Sequence, residues 1–411
     1  MYKHLWFVFF LSPLIGIAQY TGTASVTQGL ATPVLTNLYP CANGRITNIG
    51  TITASDSTTW TVPASVNYLD PAFPSASDLY NSCNGATYPN EAAALAALNG
   101  SDIINVDPGG ELITAYLFAD NYFEMYINGV PVGKDNVPYT QFNSNIVRFR
   151  VNRPFTIAIM LVDWEEHLGT GCEVSNGYQY HMGDGGLVAV FKDSVGQIIA
   201  RTGSNWRAQT YYTAPILNLS CPSESGNLRF SDTCNTQDSN NGSAYYGLHW
   251  SLPSNWMDAS FNDTVFPPAS TFSNALVGVN NKPAYTNFTN IFDDPVQDAE
   301  FIWSTNLVLD NLVLTRYTVP LVTGSIEYLI PDQWLSMYPN PARNELLLEL
   351  RDLTFSEQVK RLTVYDSAGK QVIDTNGFIN QLPLNGLSSG RFLLQLTLGD
   401  RQFTYPFLIE K

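Results

Sequence analysis

The chain has 411 residues and a formal net charge of −16, with 45% hydrophobic, 13% aromatic and only 14% charged side chains. That length can bury a sizeable core in two or three domains, and low charge with many aromatics and turn formers describes an exported all-β protein better than a cytosolic enzyme. The last 91 residues carry 8 basic and 10 acidic side chains, so the excess acid belongs to the middle of the chain, which excludes nucleic acid and anionic membranes as partners and leaves neutral sugars and cations.

The first residues, MYKHLWFVFFLSPLIGIAQ, begin with Lys3 and His4 and continue as an apolar run to Ala18. About 14 apolar residues fall short of a membrane span, and small Gly16 and Ala18 precede Gln19, so residues 1–18 read as a secretory leader cleaved between Ala18 and Gln19. No later apolar run reaches spanning length, so the mature chain is expected to hold no transmembrane segment. Residues 19–104 form an irregular N-terminal extension that either stands alone or completes the next domain. It has short strand signals in RITNIGTI and TTWTVPASV and one helix in PNEAAALAALNG, capped by Asn90, favoured by Glu91 and stopped at Gly100.

Strand signals strengthen over residues 105–322. In NYFEMYINGVPV, Phe123, Met125 and Ile127 alternate with Tyr122, Glu124 and Tyr126, and Asn128-Gly129 supplies a type I′ turn. NIVRFRV alternates, FTIAIMLVDW is apolar on both faces and reads as a central strand, GGLVAVFKDSVGQIIARTG turns at Ser194 to Gly196, and EFIWSTNLVLDNLVLTRYTV holds two more strands. Strands without long helices imply a β-sandwich. Two long stretches, 163–186 and 221–247, interrupt it; long loops in compact domains are often functional.

Five cysteines lie in the mature chain, and Cys41 with Cys83 and Cys221 with Cys234 form the expected pairs. Cys172 is then a leftover surface thiol, with His167 and His181 near enough in sequence for a dyad. The densest polar stretch is VDWEEHLGTGCEVSNGYQYHMGDGG. Asp163, Glu165, Glu173 and Asp184 are candidate ligands of a cation, calcium first, since clustered carboxylate oxygens suit that ion. Trp164, His167, Tyr178, Tyr180 and His181 are candidate ligand-binding residues, with Trp206, Tyr211 and Tyr212 as further aromatic faces. The competing reading is a solvated loop whose carboxylates cap turns and meet Arg148 or Arg150. A second acidic run, Asp293, Asp294, Asp298 and Glu300, reads mostly as a solvated turn. There is no nucleophile elbow between strand and helix, no H-E-x-x-H and no phosphate-binding glycine loop, so no catalytic residue is assigned.

ADNYFEMYINGVPVGKD, TGSNWRAQ, NWMDASFNDTVFPPAS and EFIWSTNLVLDNLVLTR, in that order, resemble galactose-binding-like jelly-roll modules over residues 105–320, with Phe266 where Trp is usual. The resemblance implies a lectin-like sandwich, often with structural calcium, that binds a glycan or matrix ligand at its loop tips. A linker at 323–336 leads to YPNPA, LTVYDSAGKQV and LSSGRFLLQL, which resemble the C-terminal sorting domain of type IX secretion cargo over residues 335–411; Phe392 stands where Tyr is commonest, and TYPFLIEK is less basic than the usual ending. This implies a small C-terminal β-sandwich at 337–411, the type IX machinery as partner, and a secreted or outer-surface location on a two-membrane bacterium. The whole chain therefore reads as all-β: a jelly-roll-type sandwich with an irregular N-terminal extension, then the sorting domain. Its expected role is binding a surface glycan or matrix ligand, against a glycan-active hydrolase using carboxylates of the 163–184 loop, or a purely structural surface protein.

Overall fold

A strand apolar at every position needs cover on both faces. In a computed structural model of the chain, Phe155–Val162 has it: the strand lies between Tyr122–Ile127 and Asp310–Val319. Ile157, Ile159 and Leu161 enter one buried cluster, while Ala158, Met160 and Val162 enter another. The structure describes residues 20–41, 45–139, 142–175, 177–237, 242–295, 297–321, 335–350, 359–398 and 401–411. The expected leader with its Ala18–Gln19 cleavage point, and most of the expected linker, lie outside them.

Two units divide the chain, Met1–Leu321 and Val322–Lys411. In the larger one, the first sheet has seven antiparallel strands in the order Ser25–Gln28, Tyr246–His249, Arg207–Ile216, Asp310–Val319, Phe155–Val162, Tyr122–Ile127 and Val130–Lys134. The second sheet runs Ser270–Phe272, Phe301–Trp303, Gly186–Lys192, Glu111–Asp120, Ser144–Val151, Ser77–Asn81 and Ala86–Thr87. Ile198–Arg201 pairs with Gly186–Lys192, and Ile103–Asn105 pairs in parallel with Ser144–Val151. The sheets share one core: Phe123, Met125 and Ile127 of the first join Ala115, Leu117 and Val190 of the second. Helical turns Pro283–Thr286 and Thr289–Phe292 add Tyr285, Phe288 and Ile291, with Tyr285 edge-on to Phe118. The opposite face of the first sheet buries Tyr122, Tyr126 and Tyr212 beneath Ile49, Val62 and Phe73 of the N-terminal segment.

That segment thus contributes on both sides. Ser25–Gln28 joins the first sheet, Ser77–Asn81, Ala86–Thr87 and Ile103–Asn105 join the second, and Thr32–Leu35, Ile49–Thr53 and Thr59–Val62 form a small sheet of their own. The helix expected to run to Gly100 spans only Glu91–Ala96. Asn90 caps it by accepting from the Ala93 amide at 3.0 Å, but Asn99 starts a separate 3-10 turn at Gly100–Asp102 and breaks the continuation. The Asn128-Gly129 turn has φ of 51° and 85°, as a type I′ turn requires. Cys41 is bonded to Cys83 and Cys221 to Cys234.

The smaller unit has a three-stranded sheet, Leu335–Tyr338, Glu345–Leu350 and Gln381–Pro383. Its four-stranded sheet runs Gln371–Asn376, Val359–Asp366, Gly390–Leu398 and Arg401–Ile409. Alternation sets its core: Leu346, Leu348 and Leu350 are buried between exposed Glu345 and Glu349. The turn at Ser367–Gly369 closes through the Asp366 carboxylate, which accepts from the amides of Ala368 and Lys370, each at 2.9 Å.

Candidate functional site

Three strand ends from the two sheets meet at one end of the larger unit. Glu111–Asp120 leaves the second sheet at Asp120, and the chain enters the first at Tyr122, through a cis Asp120–Asn121 peptide. Phe155–Val162 ends just before Asp163. Asp184 lies two residues before Gly186–Lys192, and Gly186 pairs with Asp120. Asn121 pins the corner: its amide donates to the Val162 carbonyl at 3.2 Å, its side-chain oxygen accepts from the Trp164 amide at 2.6 Å, and its Nδ2 donates to Asp120 at 2.7 Å. Gly183 packs against this corner, where an added Cβ would stand 3.3 Å from Asp163 Oδ2.

A cavity of about 570 Å³ opens there, with Asp120, Asn121, Asp163 and Asp184 in its lining. Asp120 and Asp163 are 4% and 5% exposed. Among the described residues, neither the Asp163 nor the Asp184 carboxylate accepts a hydrogen bond. Burial pushes Asp120 and Asp163 well above the usual carboxylate range, and the charge of Asp184 adds to both. Asp184 is pushed up to about 7 by burial and then by Glu173, against the opposing pull of His181 and Lys282. Asp184 therefore keeps its proton part of the time at neutral pH, where an ordinary surface carboxylate would have lost it.

The 163–186 stretch supplies the other wall. Its hairpin pairs Cys172–Ser175 with Tyr178–Met182 and sets Glu173 opposite His181. Glu173 accepts from the Tyr139 hydroxyl and lies 3.4 Å from Arg45, which also pairs with Glu166 at 3.2 Å and covers the Tyr139 ring at 5.2 Å. Burial raises the Glu173 carboxyl, and the charges of Arg45 and His181 counter it. These carboxylates meet Arg45 rather than the anticipated Arg148 or Arg150, of which Arg148 pairs with Asp102 at 3.5 Å and Arg150 donates to the Gly110 carbonyl at 3.3 Å. Lys282 reaches the cavity from the helical side, its ammonium 4.5 Å from the Phe142 ring centroid.

Asp163, Glu173 and Asp184 thus line one cavity, but Glu165 does not. The strand stops at Val162, so the alternation that would aim Glu165 beside Asp163 is lost. Glu165 turns inward, accepts from the Gly171 amide and from the Tyr212 hydroxyl at 3.3 Å, and is raised to about 7 by burial. Among the described residues, no three His, Cys, Asp or Glu side chains are grouped so as to hold a metal ion. Of the aromatic candidates, Trp164 is a core residue, 1% exposed and edge-on to Tyr122, and Trp206, Tyr211 and Tyr212 are buried too. His167 packs on Tyr180 at 4.4 Å, Tyr178 is 48% exposed, and only His181 of the five reaches the cavity lining. Cys172 is buried rather than at the surface; its thiol donates to the Thr170 carbonyl at 3.4 Å. In the second acidic run, Asp293 accepts from the Tyr285 hydroxyl and from Asn274 at 3.2 Å, while burial raises Asp298. Asp120, Asn121 and Lys282 were not anticipated. The Asp-Asn pair between two alternating runs was the available signal for a tight corner.

Residues 336–410 match the secretion system C-terminal sorting domain family. The chain is accordingly type IX cargo, a secreted or cell-surface protein of a two-membrane bacterium, with a β-sandwich domain ahead of the sorting signal. Among the described residues, no helix is long and apolar enough to cross a membrane. No curated protein matches the chain. Among solved structures, a β-D-glucuronidase from Dictyoglomus thermophilum aligns at 12% identity over 94% of this chain and 44% of that one, with a TM-score of 0.15. The chain spans less than half of that protein, and so loose a superposition bears on neither fold nor activity.

Proposed function

We propose that the exported chain is a glycan-binding protein that holds a hydroxyl-rich saccharide in the cavity at the meeting of the Asp120, Asp163 and Asp184 strand ends. In this reading residues 105–322 are a galactose-binding-like module whose sheets the 19–104 segment completes, and 323–336 link it to the sorting domain at 337–411. One observation carries the reading. Asp163 is buried yet faces the cavity, and no protein donor among the described residues meets its carboxylate. That carboxylate is left to accept from whatever fills the cavity, and sugar hydroxyls are donors of the right kind. Asn121, Asn143, Tyr80 and Tyr139 add hydrogen-bonding groups to the lining.

The test is binding of the purified exported chain to a panel of neutral, acidic and amino polysaccharides, with and without chelator. Saturable binding to one glycan class supports the reading. Loss of that binding on chelation adds a calcium ion to the site, and absence of binding across the panel leaves a structural surface role. A hydrolase reading draws on the same carboxylates, since two raised acids can divide into proton donor and base. Release of reducing ends from the bound glycan would favour it.

A further inference from the structure

We propose that this cavity selects an amino sugar carrying a free, protonated amine over its N-acetylated and neutral counterparts. The inference rests on the saccharide reading above and names its ligand class.

Three carboxylates, Asp120, Asp163 and Asp184, come to the cavity from three separate strand ends. Asp163 is 5% exposed; its amide donates to the Asn311 carbonyl at 2.9 Å, but its carboxylate accepts no hydrogen bond among the described residues. Among the described residues, Asp120 has only the Asn121 side-chain amide, on one oxygen. The nearby protein cations offset this charge only in part, Lys282 acting on Asp120 and Asp184 and His181 on Asp184, while all three carboxyls stay raised. Arg45 is engaged by Glu166 and Glu173 and lies over Tyr139. His181 stands opposite Glu173 in the hairpin. Lys282 lies over Phe142 and pairs with none of the three carboxylates among the described residues.

A neutral hydroxyl gives a carboxylate one hydrogen bond and leaves its charge uncompensated. An ammonium group offers three donors and a full charge, and bonds between charged partners are roughly twice as strong. A bare calcium ion would need its oxygens gathered about one point at roughly 2.3–2.6 Å, and no such group forms among the described residues. An amine on a hydroxylated ring can satisfy one carboxylate with charge and reach others with hydroxyls. When the site is empty, burial and mutual repulsion among Asp120, Asp163, Glu173 and Asp184 retain protons, against the pull of Arg45, His181 and Lys282. A bound ammonium removes the repulsion and takes the place of those protons.

The experiment is a calorimetric titration of the full exported chain, under chelator, with a glucosamine disaccharide, its N-acetylated form and the corresponding glucose disaccharide. Asp163→Asn and the partly buried Asp184→Asn follow, each checked for an unchanged melting temperature. The expected result is at least tenfold tighter binding of the amine, with the preference reduced to about twofold or less in both variants. Equal affinity for all three sugars overturns the amine preference and leaves the saccharide reading standing. Binding of a simple alkyl diamine with no binding of any sugar overturns the saccharide reading, and the amino-sugar assignment with it. Calcium binding in unchelated protein that is required for the sugar to bind equally overturns the amine account.

Discussion

Replacing Glu165 with Gln tests whether this carboxyl belongs to the fold rather than to the cavity. Glu165 is 2% exposed and accepts from the Gly171 amide and the Tyr212 hydroxyl. Burial raises it to about 7, although those hydrogen bonds pull the other way. In the unfolded chain a glutamate ionises near pH ~4.3. Below that, both states hold the proton and the site costs nothing extra. Between there and pH about 7 only the unfolded state has lost it, so stability falls by ~1.4 kcal/mol per pH unit. Above about pH 7 the loss is complete, at about 4 kcal/mol. Gln keeps the shape and an acceptor but does not titrate. Urea unfolding with disulfides intact, followed by the fluorescence of buried Trp164, Trp206 and Trp303, reads the larger unit. Between pH 4 and 8 the wild-type protein should lose about 4 kcal/mol more than Glu165→Gln. The other buried carboxyls titrate in both proteins and largely cancel in the difference. Asp163 feels the Glu165 charge, so its own easing in the variant adds in the same direction. Parallel curves would refute the reasoning, because they would mean that Glu165 ionises in the folded protein as readily as in the unfolded one.

Gly171 has φ of 62°, and an added Cβ would stand 2.4 Å from the Ala214 carbonyl oxygen, so Gly171→Ala should destabilise the larger unit by roughly 2–4 kcal/mol in the same urea assay. Opening the Cys41–Cys83 link, 42 residues apart in sequence, with Cys83→Ser should cost about 2–4 kcal/mol under oxidising conditions and nothing under reducing ones. Deleting residues 336–411 should leave the chain in the periplasm, as judged by cell fractionation; surface or medium recovery equal to the full chain would remove the sorting role from that segment.

What sequence reading captured was local. The Asn128-Gly129 turn and the alternation on its first strand depend on neighbours only, and both faces of that strand are where the pattern puts them. The two-faced strand at 155–162 was legible because every position is apolar. The cavity was harder because it is a long-range object. Asp120 is remote in sequence from Asp163 and Asp184, and the three meet because three strand ends come together. Asp163 and Asp184 were within reach as part of a crowded acidic stretch, whereas Asp120 was hidden at a corner between two strands. Glu165 and Trp164 misled for one physical reason. The strand stops at Val162, and the residues after it turn into the core beneath the N-terminal segment instead of following the pleat.

The central claim is that Asp163 and Asp184 receive the ligand's donors. Its most direct test is a titration of the tightest-binding glycan of the panel into wild-type protein, Asp163→Ala and Asp184→Ala, with melting temperatures taken on the same samples. The account predicts that each variant melts within a few degrees of wild type and binds at least about tenfold more weakly, the loss of one charged hydrogen bond. Undiminished binding in both folded variants would contradict it and move the glycan site away from this cavity.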